Sequence, residues 1–400
     1  MSHTSRSPRV VLAGATAAQA SVSFVNFGLP AVGPRLRADF SLSLLELGAV
    51  LTAGLLGSGV ALIAAGIAVD RYGTRRSMLA GTALGTAGLV VAAVASAPGV
   101  LFAALFVFGI GTAVTPVAGA GALFRSFTAG RRGWALGVRQ TAVPLGGTIA
   151  AIGFPLLYAA GGLRLTLLVG AVATLVTGVW FGSVVGDDHT GRVRTVEQPF
   201  RSIWRAPGMQ RLLLVAACYI VVLQALLAYI VPAIRAAGHS ALTASTAYVA
   251  INVTAMLARI AWGRIADTGG GSRRVRTLVE VGFVACAGSL LFALALHVGP
   301  VVIVASAVLF GIGALGWNAL VYVSAGERAS AELAARSVAV AATVVFVISG
   351  VVTPLLGALA DVAGWDGLWL TTAAVAALGA LLASRLTRTA IPVAVDPRSR

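Results

Sequence analysis

The sequence predicts an all-α integral membrane protein of twelve transmembrane helices, arranged as two pseudo-symmetric six-helix bundles. Three observations predict this. Apolar residues make up 58% of the 400 and charged residues only 10%, against about 25% charged in an ordinary soluble domain. The apolar residues fall into twelve continuous runs, most close to the roughly 20 residues that cross a bilayer as a helix. Landmarks in the first six runs recur, in order, in the last six. A mean hydropathy of +0.94 excludes a soluble enzyme, a secreted disulfide scaffold and a disordered chain. A β-barrel is excluded because its strands alternate apolar and polar over about ten residues, whereas these runs are continuous.

The runs lie at 10–31, 44–69, 77–97, 100–124, 134–159 and 163–185, then at 211–232, 243–266, 277–298, 300–324, 337–360 and 367–384. They define a first bundle over 1–185, a charged linker over 186–210, a second bundle over 211–384 and a tail over 385–400. The first run follows Arg6 and Arg9 and contains Ala18-Gln19-Ala20, so it imitates a secretory signal. It continues past that point to Leu29, which fits an uncleaved first span better than a signal peptide. Cys218 and Cys286 fall inside apolar runs and make neither a disulfide framework nor a metal site.

The net charge of +16 is carried by 29 basic residues, all arginine. Their placement explains them. With twelve spans, and with the near-end Arg139 and Arg259 assigned to the side they lie nearest, one side holds 25 of the arginines and the other only Arg35, Arg37, Arg164 and Arg235. The positive-inside rule puts the rich side, and with it both termini, in the cytoplasm. The excess charge therefore marks orientation in a lipid bilayer and gives no support to a nucleic-acid partner.

The repeat rests on three matches. Gly66-Ile67-Ala68-Val69-Asp70 ends run 2 and Gly263-Arg264-Ile265-Ala266-Asp267 ends run 8. Phe108-Gly109-Ile110-Gly111 and Phe310-Gly311-Ile312-Gly313 occupy runs 4 and 10. Pro144-Leu145-Gly146-Gly147 in run 5 parallels Pro354-Leu355-Leu356-Gly357 in run 11. Duplicated transporters hold their solute near the midplane, between the repeats.

The stretch GIAVDRYGTRR, Gly66 to Arg76, resembles the signature between helices 2 and 3 of the major facilitator superfamily. A looser copy runs from Gly263 to Arg274. Together with the spans, repeat and linker, the resemblance covers essentially the whole chain. It implies the superfamily fold and secondary transport by alternating access, without a cofactor or resident metal, by a carrier expected to act as a monomer. It also implies that Gly66, Asp70, Arg71, Gly73, Arg75, Arg76, Gly263 and Asp267 form a conformational latch. In physical terms Gly66 would let a neighbouring helix approach, Asp70 would accept from an arginine or a helix N-terminus, and Gly73 would permit a tight turn. Thr74 departs from the family pattern, which usually has a basic residue there. Leu105 and Val143-Pro144-Leu145-Gly146-Gly147 depart from the helix 4 arginine and helix 5 G-P-x-x-G-G of the drug antiporters. GVRQTAVPLGG and GWNALVYVSAGE are similar to a bacterial subgroup that includes cyanate-permease-like small-anion carriers. That subgroup implies a bacterial plasma (inner) membrane.

Polar residues inside spans are costly and therefore informative. Gln19, Ser23 and Asn26 share one face of run 1 by their i, i+4, i+7 spacing. Tyr248, Asn252 and Arg259 share a face of run 8. Trp317 offers an apolar plate in run 10, and Asn318 offers a two-sided hydrogen-bonding group. Thr112 and Thr115 in run 4 fit backbone bonding on their own helix. Arg139, followed by Gln140, and Arg259 are the sharpest candidates, since an arginine at helix centre costs about 2.5–3.5 kcal/mol. If both face the cavity they suit an anion; snorkelling to the interface is the alternative. In this superfamily helices 1, 4, 7 and 10 line the cavity, with 2, 5, 8 and 11 beside them.

Function is thus expected to be carriage of a small organic solute, with an anion favoured by the arginines. An efflux carrier of the same superfamily and a transport-inactive membrane sensor are the alternatives. No Asp or Glu lies deep in a run, so proton symport, uniport and exchange fit equally well, and coupling protons stay open as partners. An enzyme is disfavoured, because no nucleophile constellation is present and the four histidines are scattered. A nucleotide-driven pump is excluded, since a phosphate loop needs a lysine and the chain has none.

Overall fold

The computed structural model describes residues 7–128, Ala135, 138–185, 204–267, 270–328 and 334–386. Among these, every element is helical. Ten stretches are long and apolar enough to cross a membrane. Two of them are double length and break at a glycine, which makes twelve spans. The helices are α1 (Pro8–Gly28), α2 (Leu44–Tyr72), α3 (Thr74–Ala93) and α4 (Pro98–Thr112, resuming as Val114–Ser126). The stretch Val138–Val184 contains α5 and α6, divided at Gly161 and Gly162. Then follow α7 (Met209–Ala236), α8 (Ala241–Asp267), α9 (Gly270–Ala295) and α10 (Pro300–Ala314, resuming as Asn318–Glu327). The arms α11 and α12 make up Ala334–Ser384, divided at Gly364. Most of the expected linker, 186–203, and of the tail, 387–400, lie outside the described residues.

Local chemistry sets the helix ends. Ser43 and Glu46 form a reciprocal capping box at the start of α2, satisfying backbone N–H groups that would otherwise face a low-dielectric edge. Pro98 and Pro300 start α4 and α10, where the missing N–H has no cost. The α5–α6 and α11–α12 turns need a backbone that L side chains resist. Gly162 takes φ 64° and Gly364 takes φ 71°.

These features expose the duplication more sharply than the motifs do. Pro98 and Pro300, Phe108 and Phe310, and Gly162 and Gly364 are each 202 residues apart. In both halves the helix breaks just beyond the Phe-Gly-Ile-Gly motif, after Thr112 and after Ala314. In both halves a glycine packs directly on the motif phenylalanine, Gly88 on Phe108 and Gly288 on Phe310. Small residues permit such close packing in lipid, where helices associate by contact and not by the hydrophobic effect. The third sequence match is displaced. Pro354 stands 10 residues before Gly364 whereas Pro144 stands 18 before Gly162, so the two prolines are not equivalent.

The halves meet chiefly through α2 against α11 and α5 against α8. Gly48 and Gly357 pack on Tyr229 and Leu44, Gly350 on Leu56, Gly59 on Phe346, and Gly147 on Asn252. These contacts run from the arginine-poor ends of the helices to about mid-span. Towards the arginine-rich side, no described residue lies within 4 Å of where a side chain would begin at Gly66 or Gly263.

Candidate functional site

Arg139 is the anomaly of the first half. It lies on the arginine-rich third of α5 and is only 5% exposed. Its Nη2 donates to Gln19 Oε1 on α1 at 3.0 Å, and its guanidinium packs over Gly119 of α4. Its Nε is buried with no acceptor among the described residues. Among the described residues no carboxylate lies within ion-pair distance. A buried charge normally has a counter-ion, and this one has a single neutral acceptor. Gly119 is what admits it, since a side chain there would collide with the guanidinium.

The rest of the α1 stripe surrounds it. Gln19 and Asn26 are half-buried, and Asn26 Oδ1 lies against Gly54 of α2. Ser23 is buried against Gly146 of α5. Gln140 points the other way and is exposed. Thr112 donates to Phe108 O at 2.9 Å on its own helix, as expected of a structural threonine.

In the second half, Arg259 is half-buried on α8. Its Nε donates to Leu315 O at 3.2 Å, a carbonyl that the break in α10 frees from its helix. The Tyr322 hydroxyl is within electrostatic reach of it. Asn318, one turn before Tyr322, buries Oδ1 without a partner.

Three candidates prove to be bonded elsewhere. Tyr248 donates across the halves to Phe27 O at 2.7 Å. Asn252 donates to Tyr248 O at 2.9 Å and packs against Gly147 at the same contact. Trp317 is fully buried, with its indole N–H on Ala314 O at 3.0 Å and its ring 6.0 Å from that of Tyr219. It has no exposed face to offer a solute here and supports the α10 break instead.

One polar group inside a span escaped the reading of the sequence. Gln224 of α7 is 4% exposed and donates to Thr353 Oγ1 of α11 at 2.9 Å. Its position in mid-run between Leu223 and Ala225 was signal enough. Thr353 O in turn accepts from Tyr229, whose hydroxyl also reaches Leu44 O in the other half.

The motif region is partly described. Gly73 takes φ 83° between α2 and α3, which is the turn expected of it. Arg71, Arg75 and Arg76 are exposed. The side chains of Asp70 and Asp267 lie outside the described residues. Thr74 accepts from Arg125 Nη2 at 2.7 Å, tying the motif turn to the end of α4. A basic side chain at position 74 would face that guanidinium, which accounts for the departure. The second half has an equivalent tie, Arg274 to Glu327 at the end of α10. Gly66, expected to admit a neighbouring helix, faces open space instead.

Known proteins share this architecture. The family model described as the Major Facilitator Superfamily matches residues 15–354. An uncharacterized MFS-type transporter of Mycobacterium tuberculosis, found in strains CDC 1551 and H37Rv, is 27% identical over 371 residues, 90% of this chain and 80% of the relative. Among solved structures, an inward-facing, occupied bacterial homolog of the human lysosomal transporter Spinster superposes with a TM-score of 0.80 at 15% identity, covering 97% of this chain and 98% of that one. A D-xylose–proton symporter gives 0.77 at 14% identity, covering 95% and 98%. A point mutant of the nucleoside transporter NupG gives 0.77 at 12%, covering 94% and 99%. At these identities the superpositions show the fold alone.

Proposed function

This chain belongs to the major facilitator superfamily, and on that premise we propose that it moves a small organic anion across the membrane by alternating access. The observation that carries the proposal is Arg139, a buried guanidinium with one neutral acceptor and an unpaired Nε. Such a group is costly to hold away from water without a counter-ion, and an anionic solute would recover that cost each time it binds. Gln19 orients the guanidinium, and Asn26 and Asn318 offer neutral bonding groups on either side of the divide.

The arginine-rich side is taken as cytoplasmic, by the positive-inside rule. The bundles are 1–185 and 211–384, joined by a cytoplasmic linker over 186–210, in a bacterial plasma membrane. The contacts that join the halves run from the arginine-poor ends to about mid-span, so the described conformation corresponds to the carrier open to the cytoplasm. Closing that side would bring the Gly66–Arg76 turn and its copy around Gly263 and Asp267 against the opposite half, which is the latch role.

The test is uptake in proteoliposomes, with the solute taken from a thermal-shift screen of organic acids. Arg139→Gln is expected to raise KM by about thirtyfold or more, the scale for truncating one partner of a buried charge pair. Arg139→Lys should recover part of the loss. An unchanged KM in Arg139→Gln refutes the anion site.

A further inference from the structure

We infer that the solute carries two separate acidic groups, one held by Arg139 and the other by Arg259 of the opposite half, so that the substrate class is a dicarboxylate. The inference rests on Arg139 being the solute anchor proposed above.

Depth is the first argument. Helices α5 and α8 come from different halves and meet where Gly147 backs onto Asn252. Arg139 is eight residues from Gly147, and Arg259 is seven from Asn252, both towards the arginine-rich side. At 1.5 Å per residue these displacements are about 12 and about 10 Å. The two guanidinium-bearing positions therefore stand at matching depth on helices of opposite halves. Seven residues close two helical turns, so Arg259 shares the face of Asn252, which looks towards the first half.

Charge is the second argument. Among the described residues neither arginine has a carboxylate within ion-pair distance. Each donates to a neutral oxygen, Arg139 to Gln19 Oε1 and Arg259 to Leu315 O. A monoanion would neutralise one cation and leave its opposite bare. A dianion neutralises both. The α10 face next to Arg259 adds the unpartnered Asn318 Oδ1, which could accept from a protonated or hydroxylated group on the solute, and the Tyr322 hydroxyl.

The arrangement also gives the solute leverage on the transport cycle. Empty, the two cations repel across the divide and hold the arginine-rich side open. Bridged by a dianion, they draw α5 and α8 together.

The test is a thermal-shift titration of purified protein with acids paired by chain length: succinate with butyrate, glutarate with pentanoate, adipate with hexanoate. At least one diacid is expected to bind about tenfold or more tightly than its monoacid partner. Arg259→Gln should bring that ratio to within about twofold, and Arg259→Lys should keep most of it. Elution as a monodisperse peak establishes that each variant is folded. If no diacid outbinds its partner, or if the ratio survives Arg259→Gln, the second charge is overturned. The anchor reading is judged separately. It stands if Arg139→Gln weakens both members of a pair, and it falls with the inference if Arg139→Gln weakens neither.

Discussion

Asp361, at the arginine-poor end of α11, accepts the backbone N–H of Leu44, the first residue of α2, at 3.0 Å across the divide between the halves. Arg37 approaches the other carboxylate oxygen at 3.8 Å. Leu44 O is in turn reached by the Tyr229 hydroxyl at 3.2 Å. Both backbone groups of one residue at the start of α2 are thus bound by the second half. A carboxylate at a helix N-terminus is favoured by the partial positive charge there. The clamp must break for the arginine-poor side to open.

Asp361→Asn keeps the size of the side chain and removes its charge. We expect it to weaken closure by about 1 kcal/mol, part of the 1.5–3 kcal/mol typical of a hydrogen bond to a charged group. The measure is labelling of Ala233→Cys by an impermeant maleimide applied from the arginine-poor side, after Cys218 and Cys286 are replaced by Ala. The rate should rise about fivefold. No rise would show that the clamp does not limit opening.

Tyr248→Phe deletes a further cross-half bond, from the tyrosine hydroxyl to Phe27 O. The expected effect on the same labelling rate is in the same direction, for a loss of about 1 kcal/mol. This bond joins α8 to α1 and the clamp joins α2 to α11, with no shared partner. The two effects should therefore add in the double variant, and marked non-additivity would show that the contacts open as one unit.

Gly66→Ala separates the two ends of the transport cycle. Open space surrounds this position here, so the melting temperature of the described form should stay within about one degree. Closing the arginine-rich side against the added methyl should cost about 1–3 kcal/mol, as overpacking does, and transport should fall several-fold. Asp70→Asn should likewise cut transport without reducing membrane insertion. Full transport in both variants would leave the motif as a topological anchor only.

Gly111→Ala and Gly313→Ala test the duplication. Each glycine packs on the backbone of the preceding helix in its own half, Gly111 on Gly81 and Gly85, and Gly313 on Ala285. A methyl group has nowhere to go in either place. Each variant should lose about 1–3 kcal/mol of stability and melt several degrees lower, by similar amounts. A large effect in one half alone would show that the equivalence is confined to sequence.

Much of the fold was legible in the residue order. The twelve runs match the helices to within a few residues, with α9 starting earlier than its run because Arg273, Arg274 and Arg276 are polar yet helical. The break in α4 was not legible, because Thr112 to Val114 include no proline or glycine, and Gly316 at the α10 break is one of many glycines inside the runs and marks no break by itself. Nothing in the residue order singles out Asp361, since its partner lies 317 residues away. Trp317 looked like a binding plate, because an apolar ring in a polar neighbourhood reads the same whether it faces a solute or a helix.

Span number, the proposed sidedness and the duplication are read from the sequence by itself. Each depends on a local quantity, the length of an apolar run or the cost of carrying an arginine across hydrocarbon, and such costs are properties of composition. Which intramembrane polar groups are already satisfied was decided only by tertiary structure. Gln224 finds Thr353 and Tyr248 finds Phe27, while Asn318 Oδ1 and Arg139 Nε find no partner among the described residues. The donors and acceptors that settle this come from helices 100 or more residues apart in the chain. In a bilayer without water to make up the difference, the unsatisfied remainder is what a solute can be asked to fill.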